Sequence, residues 1–398
     1  MVPLSATGLR VDSLEPQGPV ARARDLGPAL AAAAASIERE QRLPEALQQA
    51  LHGSRLLRML LPRSVGGDQI DPALYCQAVE EIARHDASVA WIVFVANSAA
   101  LIAAFLDQDV ARTIFADPHT VVAWGPPNTT RALAVDGGYL LNGTWDFASG
   151  CRHANWMGAH CHVSEVDGSL RLNRQGHPTI RTLLFPAARA TMLDSWNVIG
   201  LRGTGSDSYR VSDLFVPEAF STTREDPSLR RERGPLYAFT MQGLYATGVA
   251  AVALGTARAM LEAFLDLATR KSPRGLARLA DNAVVQGEVG RAQATLEAAR
   301  AYLLETLASV YAQAHEIEPI ALADRARVRL ASINAIHAAV DVAYFCYRAA
   351  GVDAIFAGSP YERRFRDIHT LSQQIQSRGA HFEAVGQILL GQPPAVFF

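Results

Sequence analysis

The sequence has little cysteine and almost no net charge, and each shortage excludes a class of protein. The four cysteines, Cys76, Cys151, Cys161 and Cys346, show no C-x-x-C spacing, which argues against a disulfide framework and a structural zinc site. A formal charge of −2 offers no broad basic field, so neither nucleic acid nor a membrane surface is expected as a partner. The scattered thiols favour a reducing, cytoplasmic location.

The N-terminus lacks the charged and then apolar pattern of a signal peptide, and we expect a flexible arm over residues 1–22. One uncharged stretch, Ala87 to Leu106, is long enough to span a bilayer. It is flanked by Asp86 and Asp107 rather than by a basic cluster. The sequence therefore predicts a buried core helix at this place.

The apolar pattern changes along the chain and predicts an α+β protein of helices, then strands, then helices. Asp71-Pro72 has the form of a helix start, and Asp86 or Ser88 is expected to start the apolar helix. Asp136-Gly137-Gly138 is typical of a hairpin turn. The predicted parts are an N-terminal α-helical domain over residues 23–119, a middle β domain over 120–218, a connecting loop over 219–235, and a C-terminal four-helix bundle with a tail over 236–398.

Individual elements follow from the same periodicities. The predicted strands are Tyr139 to Ser149, His160 to Val163, Leu170 to Leu172, Arg181 to Phe185, Ala190 to Leu193 and Ser208 to Val216. The predicted bundle helices are Tyr237 to Ala268, Leu276 to Ala314, Leu322 to Ala350 and Tyr361 to Leu390. Gly243, Gly248 and Gly255 permit close helix approach, so we expect the bundle also to make subunit contacts.

The segment from Leu141 to Cys151, LNGTWDFASGC, is the most distinctive local pattern. In a strand, Trp145, Phe147 and Ser149 would share one face. An apolar wall that ends in a hydroxyl suits a planar cofactor ring. An ordinary core strand with a serine at its end has the same pattern, so alternation alone leaves both interpretations open.

The segment from Asp194 to Ser208, DSWNVIGLRGTGSDS, is rich in glycine. Its backbone amides can approach a ligand closely, and Arg202 can face a phosphate or a carboxylate, with Ser206 as a further candidate contact. A plain glycine-rich loop is the alternative. Because a strand pattern follows the glycines, the segment is not the G-x-G-x-x-G fingerprint of a dinucleotide-binding fold.

The third segment, RRFRDIHTLSQQ from Arg363 to Gln374, places His369 on a helix beside Phe365 and Arg366. Such an imidazole can transfer protons near neutral pH, although a lone histidine is as well explained by a structural role. His160 and His162 lack a carboxylate neighbour that would complete a metal site, so no metal is expected.

These three segments, in this order, resemble the acyl-CoA dehydrogenase superfamily over about residues 20–391. The run from Gly200 to Ser206, followed by the strand pattern from Val211 to Pro217, is similar to the end of that superfamily's β domain. The resemblance implies its fold: an N-terminal helical domain, a middle β-barrel-like domain and a C-terminal four-helix bundle.

The segments around Ser149 and His369 resemble the two-component flavin-dependent monooxygenases that hydroxylate phenols, indoles or dibenzothiophene-type sulfur heterocycles. In that branch the serine matching Ser149 lies at the flavin ring, and the histidine matching His369 faces the reacting centre. If Arg366-Asp367 is aligned with the dehydrogenases, their catalytic glutamate falls near Gln374-Ile375, and neither residue is a base. Glu383 or another acid keeps a dehydrogenase open as an alternative.

The resemblance thus implies an oxygenase that takes reduced flavin, FADH2 or FMNH2, from a separate NAD(P)H-dependent reductase. It would use O2 through a C4a-hydroperoxyflavin to hydroxylate a small aromatic substrate. An N-oxygenase acting on an amine is the other alternative. A homotetramer is implied. The candidate cofactor-binding residues are Trp145, Phe147, Ser149, Arg202 and Ser206. The candidate catalytic residues are His369 and Ser149. The candidate substrate-pocket residues, for which core packing is an equal explanation, are Trp91, Asn97, Trp124 and Met241.

Overall fold

The N-terminal part is a layer of helices built around the apolar segment. The computed structural model describes residues 18–173, 176–223, 226–315 and 318–394. The helices here are α1 (Pro19–Asp25), α2 (Gly27–Glu40), α3 (Glu45–Gly53), α4 (Pro72–His85), α5 (Ala87–Ala100) and α6 (Gln108–Phe115). Because α1 begins at Pro19, the end of the segment predicted as a flexible arm is helical. Residues 1–17 of that arm lie outside the described residues.

Two carboxylates begin the helices as the sequence predicts. Asp71 accepts a hydrogen bond from the backbone N–H of Leu74 at the start of α4, and Asp86 accepts one from Val89 at the start of α5. Among the described residues, three helices are long and apolar enough to cross a membrane, and the most apolar, Ala87–Phe105, is 94% buried inside the protein. The prediction of a buried core helix is confirmed.

In the described residues, the middle part is one sheet of eight strands in the order β6-β7-β3-β2-β4-β5-β8, with β1 paired to β4. The hairpin turn predicted at Asp136-Gly137-Gly138 joins β2 to β3, and Gly137 has a φ of 75°. The predicted strand at Leu170–Leu172 is wrong, since only isolated bridges form there. The strands are β1 (Val122–Trp124), β2 (Arg131–Val135), β3 (Gly138–Trp145), β4 (Trp156–Ser164), β5 (Ile180–Pro186), β6 (Thr191–Met192), β7 (Tyr209–Pro217) and β8 (Ser221–Thr222).

The C-terminal part is a bundle whose last predicted helix is divided in two. Its helices are α7 (Met241–Arg270), α8 (Ala283–Gln313), α9 (Leu322–Ala350), α10 (Glu362–Leu371) and α11 (Ala380–Leu389). The prediction of one helix from Tyr361 to Leu390 is wrong, because a 3-10 turn, Ile375–Ser377, separates α10 from α11. Gln374 starts this turn by accepting from the backbone N–H of Gln376. α8 begins at Ala283 rather than at Leu276.

Glycines of α7 serve packing within the chain. A Cβ on Gly255 would lie 2.2 Å from the backbone oxygen of Glu80 on α4. One on Gly248 would lie 2.6 Å from the Phe94 ring on α5. The close approach that these two glycines permit is to α4 and α5 of the same chain, so they do not support the expectation of subunit contacts by the bundle, which stays a prediction.

Candidate active site

The site begins where β3 ends. The strand stops at Trp145, and Phe147 has a positive φ of 59°, which turns its side chain outward. Phe147 is 61% exposed and meets the ring of Trp196 edge-on at 6.2 Å. The structure therefore contradicts the prediction that Trp145, Phe147 and Ser149 share one face, since regular alternation ends before Phe147.

Trp145 belongs to the sheet core rather than to the site. Its ring is fully buried and stacks on Tyr209, with the centroids 5.4 Å apart. The indole Nε1 donates to the backbone oxygen of His160 at 2.9 Å. This corrects the assignment of Trp145 as a flavin-binding residue, because a side chain enclosed between strands is not available to line a cofactor.

Ser149 stands at the outer end of a row of buried hydroxyl groups. Its Oγ lies 2.7 Å from Oγ of Ser206, and Ser206 Oγ lies 2.7 Å from Oγ1 of Thr204. Thr204 donates to the backbone oxygen of Leu201 at 2.8 Å. Trp91 of α5 donates from Nε1 to Ser149 Oγ at 3.1 Å. Three of the predicted residues, Ser149, Ser206 and Trp91, thus meet in one hydrogen-bonded cluster.

The glycine-rich loop, residues 194–208, is held by a buried carboxylate. Asp207 accepts from the backbone N–H groups of Ser195 and Trp196, at 2.9 and 3.0 Å. Arg152 pairs with Asp207 through Nε at 2.6 Å and Nη2 at 3.1 Å. Arg202 donates at 3.4 Å to the backbone oxygen of a residue in α2 and at 3.3 Å to one within its own loop. The amides of Ser195 and Trp196 are therefore engaged in holding the loop, and Arg202 joins the loop to α2.

The helix that carries His369 is fastened to this loop. Asp367 accepts from the backbone N–H of Leu201 at 2.6 Å, and Arg366 donates to the backbone oxygen of Ile199 at 2.6 Å. A Cβ on Gly200 would lie 2.2 Å from the backbone oxygen of Arg366, so only glycine permits this contact. α10 and the loop therefore form one rigid junction.

His369 itself is half-buried on α10. Its ring packs on Phe365, with the centroids 4.3 Å apart, and Phe365 stacks on Tyr347 at 4.0 Å. Burial lowers the pKa of His369 below its usual value of 6.5. Within the described part of the chain, the buried Nε2 atom has no hydrogen-bond partner. A neutral imidazole with an unengaged nitrogen is available to exchange a proton with a ligand.

An aromatic row runs from the Ser149 cluster towards the end of α10. Trp91 meets Phe94 edge-on at 4.7 Å, and Phe94 meets Tyr245 of α7 at 5.0 Å. Tyr245 hydrogen-bonds with the side chain of Gln374, and burial raises its pKa well above 10. This row connects the Ser149 cluster with Gln374, which follows the end of α10.

The other predicted pocket residues lie in the protein interior. Asn97 is fully buried, accepts from the backbone N–H of Leu60 and donates to the backbone oxygen of Leu56. This corrects its assignment to the substrate pocket, since its amide satisfies a turn in the core. Trp124 packs against a buried imidazole of the neighbouring strand, and Met241 is buried at the first position of α7.

Several residues of the site were missed by sequence reasoning. Thr204 and the peptide of Leu201 complete the hydroxyl row, and Asp367 and Asp207 fix its surroundings. Thr204 and Asp207 lie within the glycine-rich segment, so its Ser, Thr and Asp content was the available signal. The role of the Leu201 peptide depends on a positive φ of 51°, for which leucine gives no indication.

Both helical domains match known families. Residues 23–114 match the family model described as "Acyl-CoA dehydrogenase, N-terminal domain". Residues 247–378 match "Acyl-CoA dehydrogenase, C-terminal domain". Together these matches span more than half of the chain.

Curated relatives match over most of their length. An indole-3-acetate monooxygenase of Pseudomonas putida is 28% identical over 361 residues, which is 90% of each chain. The oxygenase subunit HsaA of a flavin-dependent monooxygenase from Rhodococcus jostii is 28% identical, over 86% of this chain and 90% of its own. The oxygenase component of an FADH2-dependent resorcinol hydroxylase from Rhizobium sp. is 27% identical, over 90% of each chain.

Solved structures have the same architecture. The HsaA monooxygenase of M. tuberculosis superposes with a TM-score of 0.85 at 25% identity, covering 96% of this chain and 98% of its own. XiaF from Streptomyces sp., in complex with FADH2 and glycerol, superposes with a TM-score of 0.87 at 24% identity, covering 95% and 96%. The latter likeness concerns the fold alone.

Proposed function

The chain belongs to the acyl-CoA dehydrogenase superfamily, and from that premise we propose that it is the oxygenase component of a two-component flavin-dependent monooxygenase that hydroxylates a small aromatic substrate. The observation that carries the proposal is the unengaged Nε2 of His369 on a helix fastened to the Ser149 cluster. Relatives named as oxygenase components support the same conclusion.

The residues present fit a flavin. Phe147 and Trp196 expose aromatic surface beside the end of β3, which suits a planar ring. Ser149 Oγ is at the outer end of its hydroxyl row and can make one further hydrogen bond beyond those to Trp91 and Ser206. Reduced flavin, when bound, supplies the electrons that activate molecular oxygen. Phe147 would contact the ring system, and Ser149 would orient it through a hydrogen bond.

His369 would transfer the substrate's proton. A phenol or an indole is activated towards an electrophilic oxygen when its O–H or N–H proton is withdrawn. Neutral Nε2 can accept that proton, because burial keeps the pKa of His369 below neutral pH. The row of Trp91, Phe94 and Tyr245 would exclude water from the reacting groups.

A dehydrogenase needs a carboxylate to remove the α-proton of an acyl thioester. At the aligned place, Gln374 is engaged with the backbone N–H of Gln376, and Ile375 is 51% exposed. Glu383, the alternative acid, is exposed on α11. The acid that this chemistry requires is thus not supplied by these positions, and this favours the oxygenase.

A separate NAD(P)H-dependent reductase is proposed as the source of reduced flavin, because the sequence shows no nicotinamide-binding fingerprint. The four free, buried thiols fit a cytoplasmic location. A homotetramer is proposed because the C-terminal part exposes several large apolar side chains. These are Val352, Ile355, Phe356, Ile375, Leu389 and Leu390.

The test supplies FAD or FMN, NADH and an unrelated flavin reductase, with phenols, indoles and amines offered as substrates. Hydroxylated phenol or indole should form only when protein, reductase and oxygen are all present. Products oxidised at nitrogen would instead support the amine alternative. Oxidation of an acyl thioester without oxygen would contradict the proposal.

A further inference from the structure

The linker between α2 and α3, residues 41–44, contacts the β domain beside the Ser149 cluster. Gln41 donates from Nε2 to the backbone oxygen of Trp196 at 2.8 Å. The backbone N–H of Leu43 donates to Nε2 of His153 at 3.1 Å. The linker therefore binds both the glycine-rich loop and the turn that follows Ser149.

The ring of His153 belongs to the same turn as Ser149. Residues 148–153 form this turn, the Ser149 turn, at the end of which the N–H of His153 donates to the oxygen of Gly150 at 2.9 Å. The N–H of Gly150 donates to the backbone oxygen of Thr204 at 3.0 Å. Because these bonds close the turn, fixing the His153 ring also restrains the backbone next to Ser149.

The hydrogen bond from Leu43 requires a neutral His153 ring. An N–H donor needs a lone pair on Nε2, so the proton of the neutral imidazole is on Nδ1. Nδ1 is buried and has no hydrogen-bond partner among the described residues. A protonated ring would thus direct one N–H at the Leu43 N–H and the other at no described acceptor, so the contact must open for the ring to become charged.

The charges near His153 oppose a positive charge on its ring. The basic groups, from the linker, the Ser149 turn and α3, are Arg42, Arg152 and His52. The carboxylates of the glycine-rich loop, Asp194 and Asp207, are paired with Arg152. The groups that act in turn on His52 are His119, Asp117 and Arg58. Burial, reinforced by the three basic groups, lowers the pKa of His153 from 6.5 to about 4.

We infer that neutral His153 is a positioning residue that fastens the Ser149 turn to the N-terminal helices, and that protonation of its ring releases this contact. An imidazole suits this role, since it accepts a hydrogen bond when neutral and only donates when protonated. The link to catalysis rests on the proposed function, in which Ser149 belongs to the active site. The fastening itself is a property of the protein without any ligand.

The test is hydrogen–deuterium exchange of the full chain, which follows the Leu43 amide and the amides of the Ser149 turn by mass spectrometry. In the closed turn the pKa of His153 is about 4, and in the open turn it returns to 6.5, so the contact is complete above pH 6.5 and weakens as the pH falls. Between about pH 7.5 and about pH 5, protection of the Leu43 amide should fall roughly thirtyfold. The amides of Gly150 and His153 should lose protection with it, relative to the interior of α9.

Two substitutions of His153 separate its acceptor from its ring. His153→Gln keeps an acceptor oxygen that takes up no proton, so protection at about pH 7.5 should equal that of the wild type and stay constant down to about pH 5. His153→Phe keeps a flat ring without an acceptor, so protection should be low at both pH values. His177→Gln, at an exposed histidine, is the control and should keep the wild-type pH dependence.

Hydroxylation at about pH 7.5 connects the contact to the site. His153→Phe should hydroxylate about tenfold more slowly than the wild type, and His153→Gln at nearly the wild-type rate. If His153→Phe does not fold by circular dichroism, the exchange of wild-type and His153→Gln protein decides alone.

The outcomes are distinct. Wild-type protection that does not depend on pH, or that falls at Leu43 but not in the Ser149 turn, would overturn the inference. A folded His153→Phe protein with the wild-type hydroxylation rate would overturn it as well, with the proposed function intact. Wild-type protein that shows the expected exchange but hydroxylates no substrate would contradict the proposed function and support the fastening role.

Discussion

Ser149 and His369, the two polar side chains of the site, differ in how many hydrogen bonds they already make within the protein. Ser149 is bonded to Trp91 and Ser206, which fixes its hydroxyl. His369 keeps its Nε2 free of any partner in the described ranges, while Phe365 holds one face of its ring. A fixed hydroxyl suits orientation of a cofactor, and an unengaged imidazole nitrogen suits proton transfer.

Replacement of His369 by alanine should reduce hydroxylation by roughly a hundredfold or more, because the proton acceptor is lost. Flavin binding and the thermal unfolding temperature should change little, since Nε2 makes no bond within the described protein. Product formation is measured with saturating reduced flavin, and His119→Asn, at an exposed histidine, is the control. Undiminished turnover in the alanine variant would remove His369 from the mechanism.

The lowered pKa of His369 predicts how the rate of hydroxylation depends on pH. Burial lowers the pKa of His369, so its neutral form persists below pH 6.5. If the neutral form is the base, the rate should be flat through neutral pH and fall only as the pH drops through that lowered pKa. Rates of His369→Gln protein between about pH 5 and about pH 8 should lack this acid limb. If the rate of the His369→Gln protein still falls at acid pH as it does in the wild type, a group other than His369 is responsible for that fall.

At the scale of elements, helix contacts position the site. α7 lies against α4 and α5 through glycines whose hydrogens face backbone and ring atoms. α10 is joined to the glycine-rich loop through Asp367 and Arg366. α5 carries Trp91, which bonds to Ser149, and α10 carries His369. The distance between Ser149 and His369 therefore depends on these helix contacts.

Replacement of Gly255 by alanine should lower the free energy of unfolding by about 2 to 3 kcal/mol, since the new methyl would meet a backbone oxygen 2.2 Å away. Gly290→Ala on α8 is the matched control. The methyl group added at Gly290 would have no atom within 4 Å, so this change should stabilise by up to about 1 kcal/mol. Both values come from urea unfolding, and equal stability of the two variants would refute the packing argument.

The buried carboxyl group of Asp367 is expected to make the free energy of unfolding depend on pH. Burial, reinforced by the Asp86 carboxylate, raises the pKa of Asp367 from 3.8 to about 7, against the opposing charge of Arg363. A raised carboxyl pKa means that the native state binds the proton more tightly than the unfolded state does. The resulting stabilisation of the native state is present at low pH and is lost as the pH rises towards 7. From about pH 5 to about pH 8, wild-type protein should lose about 2 kcal/mol relative to Asp367→Asn.

The measurement is urea unfolding at several pH values. The asparagine variant keeps an oxygen that can accept from Leu201 and has no charge to bury. Asp341→Asn, at an exposed position of α9, is the control and should follow the wild-type curve. Parallel curves for wild-type and Asp367→Asn protein would show that Asp367 is ionised throughout.

Sequence periodicity predicted most elements because apolar spacing and capping residues act locally. Asp71 and Asp86 begin their helices, and Gly137 turns the hairpin, as their chemistry requires. The break between α10 and α11 was missed, although Gly379 lies within it, directly before the first residue of α11. The end of regular alternation at Phe147 was missed as well, because a positive φ on phenylalanine is imposed by the surrounding fold.

At the scale of the whole molecule, the site is assembled from all three parts of the chain. Trp91 comes from the N-terminal helices, Ser149 and Ser206 from the β domain, and His369 from the C-terminal helices. The Leu201 peptide joins two of these parts, since its N–H binds Asp367 and its oxygen receives the proton of Thr204. The sequence motifs identified most of these residues, but only the tertiary fold determines which of them are in contact.

The measurement that tests the central claim most directly is isotope incorporation from ¹⁸O2. Protein, reduced flavin supplied by a separate reductase and a hydroxylatable phenol or indole are incubated under labelled oxygen, and the product is analysed by mass spectrometry. The proposed oxygenase predicts one labelled oxygen atom in the hydroxylated product, and none from labelled water. Product oxygen derived from water, or flavin-dependent oxidation of an acyl thioester without oxygen, would contradict it.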